Sequence, residues 1–404
     1  MASPATSLHA PTFLRWRQER WPRTSRARWV VRLAVAIPFV ALADLANAAG
    51  GPSPNNVALH HQATSLHWVG GQLGWIAHAY PPLTLSVARL FPGGARGLAI
   101  AGGLCTGILI QLTVERLLLR AIPIANAVVL TAGVALTPAF WFLASQDFSA
   151  FLTLSLLSIG LTGLLDFTFN RSTESGFIAG IGFGLATMCD LAALPFAVAG
   201  ALATLFVAPQ AKAVREIARR RAAATVVLFP SAAALAGWAF LQWRFSGSWT
   251  ESFTRADPML FRFPGGVWVS LARAASSVGH DLVFAPVLVA AAALLFVRRP
   301  SSSLACLAFV GCVIANRWVG VSFSGPTVVV LLGVVALVLL PERLKASEQA
   351  VLWVCVALQV AIAYGGLHLG LPQVATWTHR LIAGGATLIL TGAAAGGISG
   401  FGPR

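Results

Sequence analysis

The chain has 404 residues, of which 57% are hydrophobic and only 10% charged, and its mean hydropathy is +0.77. Soluble domains carry roughly 25% charged residues, so the composition excludes a soluble enzyme and points to an all-α polytopic membrane protein. At about 20 residues per span the length accommodates about twelve transmembrane helices, in a range of about ten to thirteen.

Twenty-eight basic residues stand against 13 acidic ones, a formal charge of +15. In a soluble domain that balance would suggest nucleic acid. Here the basic residues fall mostly in short connections between apolar runs, as the positive-inside rule describes, and no nucleic-acid partner is expected. Only Lys212 and Lys345 are lysines. The five cysteines (Cys105, Cys189, Cys306, Cys312, Cys355) lie inside apolar runs without zinc-ligand or redox spacing, which reads as small buried hydrophobes.

In chain order, residues 1–28 form a basic tail expected in the cytoplasm, against anionic lipid. The first span covers about 29–47. Its end, LANA before AGG, resembles a signal-peptidase site, but the long basic region and near-full membrane thickness read as a retained span, with cleavage as the alternative. A long polar loop, 44–96, follows outside the membrane. It holds Asp44, Arg89, four histidines (His60, His61, His67, His78) and the sequence Tyr80-Pro81-Pro82-Leu83, whose prolines start a helix. Further spans are expected at about 97–116, 122–142, 150–165, 176–188, 194–208 and 222–243. A second outer loop, 244–280, precedes spans at about 282–297, 304–316, 327–340, 351–368 and 381–397. This pattern puts both termini in the cytoplasm. It divides the chain into a tail, a membrane module 29–205 and a second module 206–404.

With that threading the outer ends carry Asp44, Arg89, Arg96, Asp147, Asp190, Arg244, Glu251, Arg255, Asp257, Arg262, Arg273, His280, Asp281, Arg317, His379 and Arg380. Ionisable groups near a span are costly unless paired or hydrated, so each is a functional candidate. Asp44, Asp147 and Asp190 end three different spans on the same expected side. For Asp44 the readings are a general base or a water-facing carboxylate at a helix end. For Asp147 they are a second catalytic acid or an N-cap of the next span. For Asp190 they are catalysis or a buried partner for an arginine. The histidines read as interfacial polar packing, with a divalent metal site as the alternative. The arginines of 244–280 run against the positive-inside rule, which makes an anionic headgroup or phosphate a candidate ligand.

Several segments together resemble a family. A basic tail, a first span ending in an acid and a long loop precede AYPPLTLSVARLFPGGARGLAIAGGLCTGILIQLTVERLL. ALTPAFWFLASQDFSAFLTLSLLSIGLTGLL and GFIAGIGFGLATMCDLAALPF follow. The pattern, over the first half of the chain to about residue 205, resembles the GT-C superfamily of polytopic glycosyltransferases, in the manner of protein O-mannosyltransferases and aminoarabinose transferases. The resemblance implies an inverting sugar transfer from a polyprenyl-phosphate donor to an extracytoplasmic acceptor at the plasma membrane. By position it gives the base role to Asp44, the second acid to Asp147, the loop-helix motif to Tyr80, Pro81, Pro82 and Leu83, and a phosphate-side arginine to Arg96. In this reading Arg255 and Arg262 join Arg96 at the leaving phosphate, while His78 and Asp190 belong to the substrate loop. A divalent ion is a possible cofactor. The rival classes are a lipid or sugar transporter or flippase, whose ionisable residues would sit on broken helices near the midplane, and an inactive envelope scaffold.

Overall fold

The computed structural model describes residues 21–51, 53–66, 79–170, 173–206, 214–298, 300–321, 323–341 and 343–397. Among these the regular structure is entirely helical. Five helices are long and apolar enough to cross a membrane: Ser25–Ala49, Gly94–Leu119, Phe148–Thr168, Arg221–Ser246 and Ala346–Gly365. Two bent pairs raise the number to seven if each is one span, and three shorter apolar helices accompany them. The protein is therefore an all-α protein of membrane type.

The first half comprises α1 (Ser25–Gly50), α2 (Pro54–Ser65), α3 (Pro82–Leu90), α4 (Gly94–Leu119), α5 (Ile124–Ala135), α6 (Pro138–Gln146), α7 (Phe148–Asn170), α8 (Thr173–Cys189) and α9 (Leu194–Phe206). The second half comprises α10 (Val214–Ser246), α11 (Glu251–Ala256), α12 (Val267–Val283), α13 (Pro286–Arg298), α14 (Pro300–Val319), α15 (Gly325–Leu339), α16 (Ala346–Gly365), α17 (Leu367–Gly370) and α18 (Pro372–Gly397).

Helix α15 is apolar all round, and every residue from Pro326 to Leu339 is buried. A helix without a polar face belongs inside a bundle, and α15 lies between α4, α5, α6 and α7 of the first half and α12, α13 and α14 of the second. At the other extreme, α10 and α16 turn large side chains outward: Phe229, Phe240 and Trp243 on α10, Trp353 and Val354 on α16. Such exposed apolar faces suit contact with lipid or a partner protein.

Helix α4 packs through glycines. A Cβ at Gly107 would stand 2.0 Å from the Arg32 carbonyl oxygen on α1, and one at Gly102 2.2 Å from the Ala144 carbonyl oxygen on α6. Small residues let helices approach closely where no hydrophobic drive exists between them.

Side-chain pairs separate the charges into two ends. Antiparallel α1 and α4 join Arg32 to Gln111 (2.9 Å) at one end and Asp44 to Arg96 (2.8 Å) at the other. The Arg32 end also gathers Gln111–Glu115, Arg116–Asp166 and Arg298–Glu348. There Arg120 donates to the Leu340 carbonyl. The Asp44 end gathers Asp147, Asp190, Asp257 and the Asp281–Arg317 pair.

Every apolar run expected to cross the membrane is helical in its described part. Three boundaries differ. Helix α1 continues to Gly50 and α4 starts at Gly94, so Asp44 and Arg96 lie within helices and not at loop edges. The run 122–142 is broken at Leu136-Thr137 into α5 and α6, bent by 68°, because Pro138 lacks an N–H for the ladder. The loops 44–96 and 244–280 are themselves largely helical in their described parts, through α2, α3, α11 and α12. The expected run 282–297 is likewise interrupted, at Phe284-Ala285, where α12 and α13 meet at a bend of 96° before Pro286.

Candidate functional site

Helix α2 begins with an N-cap, Ser53, and Pro54 at the first helical position. This start pins α2 to the α6–α7 junction. The Ser53 hydroxyl donates to the Gln146 carbonyl, and Asn56 Oδ1 accepts the Phe148 N–H at 3.0 Å. Asn55 Nδ2 donates to Asp147 Oδ2 at 2.9 Å. Asp147 also accepts the Ala150 N–H at 3.1 Å, so it does cap α7. Burial pushes its pKa up, against the lowering effect of these two hydrogen bonds.

Tyr80 opens the turn into α3. It is buried, its hydroxyl donates to the Thr187 carbonyl at 2.6 Å, and its ring meets Phe253 of α11 edge-on at 4.8 Å. Burial first, then the charges of Asp190 and Asp257, push the phenol well above its usual range. Tyr80 is thus a neutral hydroxyl wedged between α8 and α11. Pro81 and Pro82 supply the N-terminal turn of α3, and Thr84 one turn on donates to the Cys189 carbonyl at 3.4 Å.

Asp190 follows directly. It caps the short 3-10 turn Leu191–Ala193, accepting the Ala192 N–H at 2.8 Å. Its side chain is half-buried. That burial raises its pKa to about 7; Asp257 and Asp147 add to the rise, and the Ala192 N–H opposes it. Asp257, at the C-terminal end of α11, is raised to about 6 by burial. Three carboxylates from the α6–α7, α8–α9 and α11–α12 connections therefore lie within electrostatic reach, with Tyr80 among them. Clustered, desolvated carboxylates of this kind are candidate acid–base groups.

Asp44 is engaged differently. It pairs with Arg96 in the open, the two side chains 48% and 65% accessible. Arg255 pairs with Glu251 one turn away on α11 at 2.8 Å, and Arg262 is exposed beyond Asp257. Among the described residues no arginine pairs with Asp190; the arginine-held buried acid of this end is Asp281, bound by Arg317. His60 packs beside Gly94 and His61 is exposed. His67 and His78 lie outside the described residues. No group of three or more His, Cys, Asp or Glu side chains among the described residues is arranged to hold a metal ion.

The sequence picked out Asp147, Asp190 and Tyr80. It gave no special place to Asp257, which enters the site only because α11 folds back on α10: the Trp238 indole donates to Ser252 Oγ at 3.1 Å and Gln242 Oε1 accepts the Ser252 N–H at 2.8 Å. Asn55 and Asn56 carry a fainter signal in the sequence, the helix start Ser-Pro-Asn-Asn. Comparison with family models, curated proteins and solved structures finds no match.

Proposed function

We propose that this chain is a membrane glycosyltransferase of GT-C-like architecture, with about twelve spans and its acid cluster on the outer face of the plasma membrane. It would move a sugar from a polyprenyl-phosphate donor to an extracytoplasmic acceptor. The observation that carries this reading is the meeting of Asp147, Asp190, Asp257 and the Tyr80-Pro81-Pro82 turn at one end of an apolar bundle. A donor with a lipid tail presents its sugar at a membrane surface, and an acceptor hydroxyl must lose a proton as it attacks the anomeric carbon. A carboxylate with a pKa near the working pH is suited to take it.

The base we assign is Asp190. Sequence position favours Asp44, but Asp44 sits in an accessible ion pair with Arg96, whereas Asp190 is desolvated among like charges. Asp257 and Asp147 keep Asp190 basic and orient the acceptor. Arg96, Arg255 and Arg262 stand at the same end to meet the phosphate as its charge develops.

Two features favour transport instead, the broken helices α5–α6 and α12–α13. The α5–α6 break is bridged by protein: the Tyr364 hydroxyl donates to the Leu136 carbonyl at 3.0 Å, and Thr137 Oγ1 to the Val134 carbonyl at 2.8 Å. No carboxylate, histidine or basic side chain takes part in these bonds.

The test is a reconstitution. Protein in vesicles is supplied with polyprenyl phosphates carrying radiolabelled glucose, mannose, galactose or arabinose, together with envelope glycan acceptors. Label leaving the lipid for the acceptor supports the proposal. Label that crosses the bilayer while still on its lipid would replace it with transport.

A further inference from the structure

Two histidines meet outside the acid cluster. His368 on α17 and His379 on α18 face each other Nε2 to Nε2 at 3.2 Å, with ring centroids 5.1 Å apart. Both side chains are exposed. They stand at the Asp44 end: α16 leaves the Arg298–Glu348 pair and leads to α17, and Trp377 of α18 meets Phe142 of α6 at 5.8 Å.

The contact is a product of the fold. Eleven residues separate the two histidines, and in one straight helix they would stand about 16 Å apart along the axis, farther than two imidazoles reach. Pro372 has no N–H to continue the ladder, and Leu371 before it leaves the helical region at φ −132°, ψ 64°, so the chain turns between the rings. Glycines then seat α17: a Cβ at Gly370 would stand 2.2 Å from the Phe284 ring, and one at Gly366 3.2 Å from it. Leu367, Leu371, Val374 and Ala375 of the same stretch are buried. The backbone that carries both rings is therefore held by packing, while the ring nitrogens stay open to solvent.

In a metal-free pair one Nε2 donates its hydrogen to the other. The same approach suits two ligands on a single ion. Zinc–imidazole bonds of about 2.0–2.1 Å at the tetrahedral angle put the ligand nitrogens about 3.3–3.4 Å apart, within about 0.2 Å of the separation here. Imidazole ligands favour zinc, copper and nickel over magnesium and calcium. His280 lies beside Gly370, its Nε2 3.2 Å from where a Cβ would stand, yet it does not complete a triad with the pair. We infer that His368 and His379 form a two-histidine site for a divalent ion of the zinc class, which joins α17 to α18 and takes water at its remaining positions. The site is independent of the transferase reading, since no step of sugar transfer is assigned to it.

The test uses the full chain in nanodiscs, freed of any affinity-tag histidines, with Zn2+ as the probe and a chromogenic chelator as competitor. The unaltered protein should show a saturable Zn2+ site and a melting temperature that rises with Zn2+ concentration. Loss of a hydrogen-bond partner behind a metal ligand already costs about 10- to 100-fold in affinity. Loss of a ligand itself, in His368→Gln or His379→Gln, should therefore weaken the site at least about tenfold. Both positions are exposed and glutamine keeps a hydrogen-bonding side chain, so the metal-free melting temperatures should match that of the unaltered protein, which certifies the fold. His280→Gln should leave the site intact. Absence of a saturable Zn2+ site in the unaltered protein overturns the inference and leaves a plain hydrogen bond between imidazoles. A site that either His368→Gln or His379→Gln retains at full affinity overturns it as well. Neither result bears on the acids.

Discussion

Replacing Asp257 with asparagine removes one like charge from beside Asp190 without changing the size of the side chain. Asp190 has its pKa raised to about 7, first by burial and then by Asp257 and Asp147. If ionised Asp190 is the base, transfer falls as pH drops through that value. The ionised fraction is roughly one tenth at pH 6 and nine tenths at pH 8, so kcat/KM should rise about tenfold across the interval. In Asp257→Asn the charged form of Asp190 is less opposed, and its pKa moves down. The acid limb should therefore shift to lower pH, raising the rate at pH 6 relative to pH 8, while Asp44→Asn leaves the midpoint in place. The assay is initial-rate transfer in vesicles from pH 5 to 9 at saturating and limiting donor. A limb centred near pH 4, or one that Asp257→Asn leaves unmoved, would refute the coupling of the two acids.

Three further outcomes follow from the packing. Arg317→Met should destabilise the protein by about 3–5 kcal/mol, because it leaves Asp281 buried without its cation; the double variant Arg317→Met, Asp281→Leu should recover most of the loss in a detergent melt. Gly102→Ala sets a methyl against the Ala144 carbonyl on α6, the helix that ends at Asp147, at a cost of about 1–3 kcal/mol. It should impair transfer more than Gly107→Ala, which crowds Arg32 at the opposite end, and equal activities at matched stability would contradict the link between α6 and the acid cluster. Asn55→Ala removes one of the hydrogen bonds that lower the pKa of Asp147. That pKa should rise further, detectable by carboxyl infrared titration, with stability changed by about 1 kcal/mol.

How far the sequence reveals the fold depends on the kind of signal each element carries. Apolar runs of span length announce α1, α4, α7, α10 and α16, because burial in lipid demands them whatever the tertiary contacts. The helix breaks were not legible in hydropathy: the runs 122–142 and 282–297 read as single spans, yet Pro138 and Pro286, each lacking an N–H, interrupt the ladder. Helix α2 was not legible either, since PNNVALHHQATS has no apolar stripe and its stability comes from the cap and from docking on the α6–α7 junction. At the site, Asp147 and Asp190 stand out as acids ending apolar runs. Asp257 looks like any charge in a polar segment until α11 folds onto Gln242 and Trp238. Whether Asp44 faces an exposed cation or the other acids depends on which turn of α4 brings Arg96 alongside, a fact of helix packing and not of composition.

The account turns on Asp190, and its removal is the most direct test. Asp190→Asn, purified in nanodiscs, should bind a polyprenyl-phosphate sugar as the unaltered protein does, yet transfer that sugar at least about a hundredfold more slowly, while Asp44→Asn retains most of its rate. Full transfer by Asp190→Asn, or its loss in Asp44→Asn alone, would contradict the assignment of the base to the acid cluster.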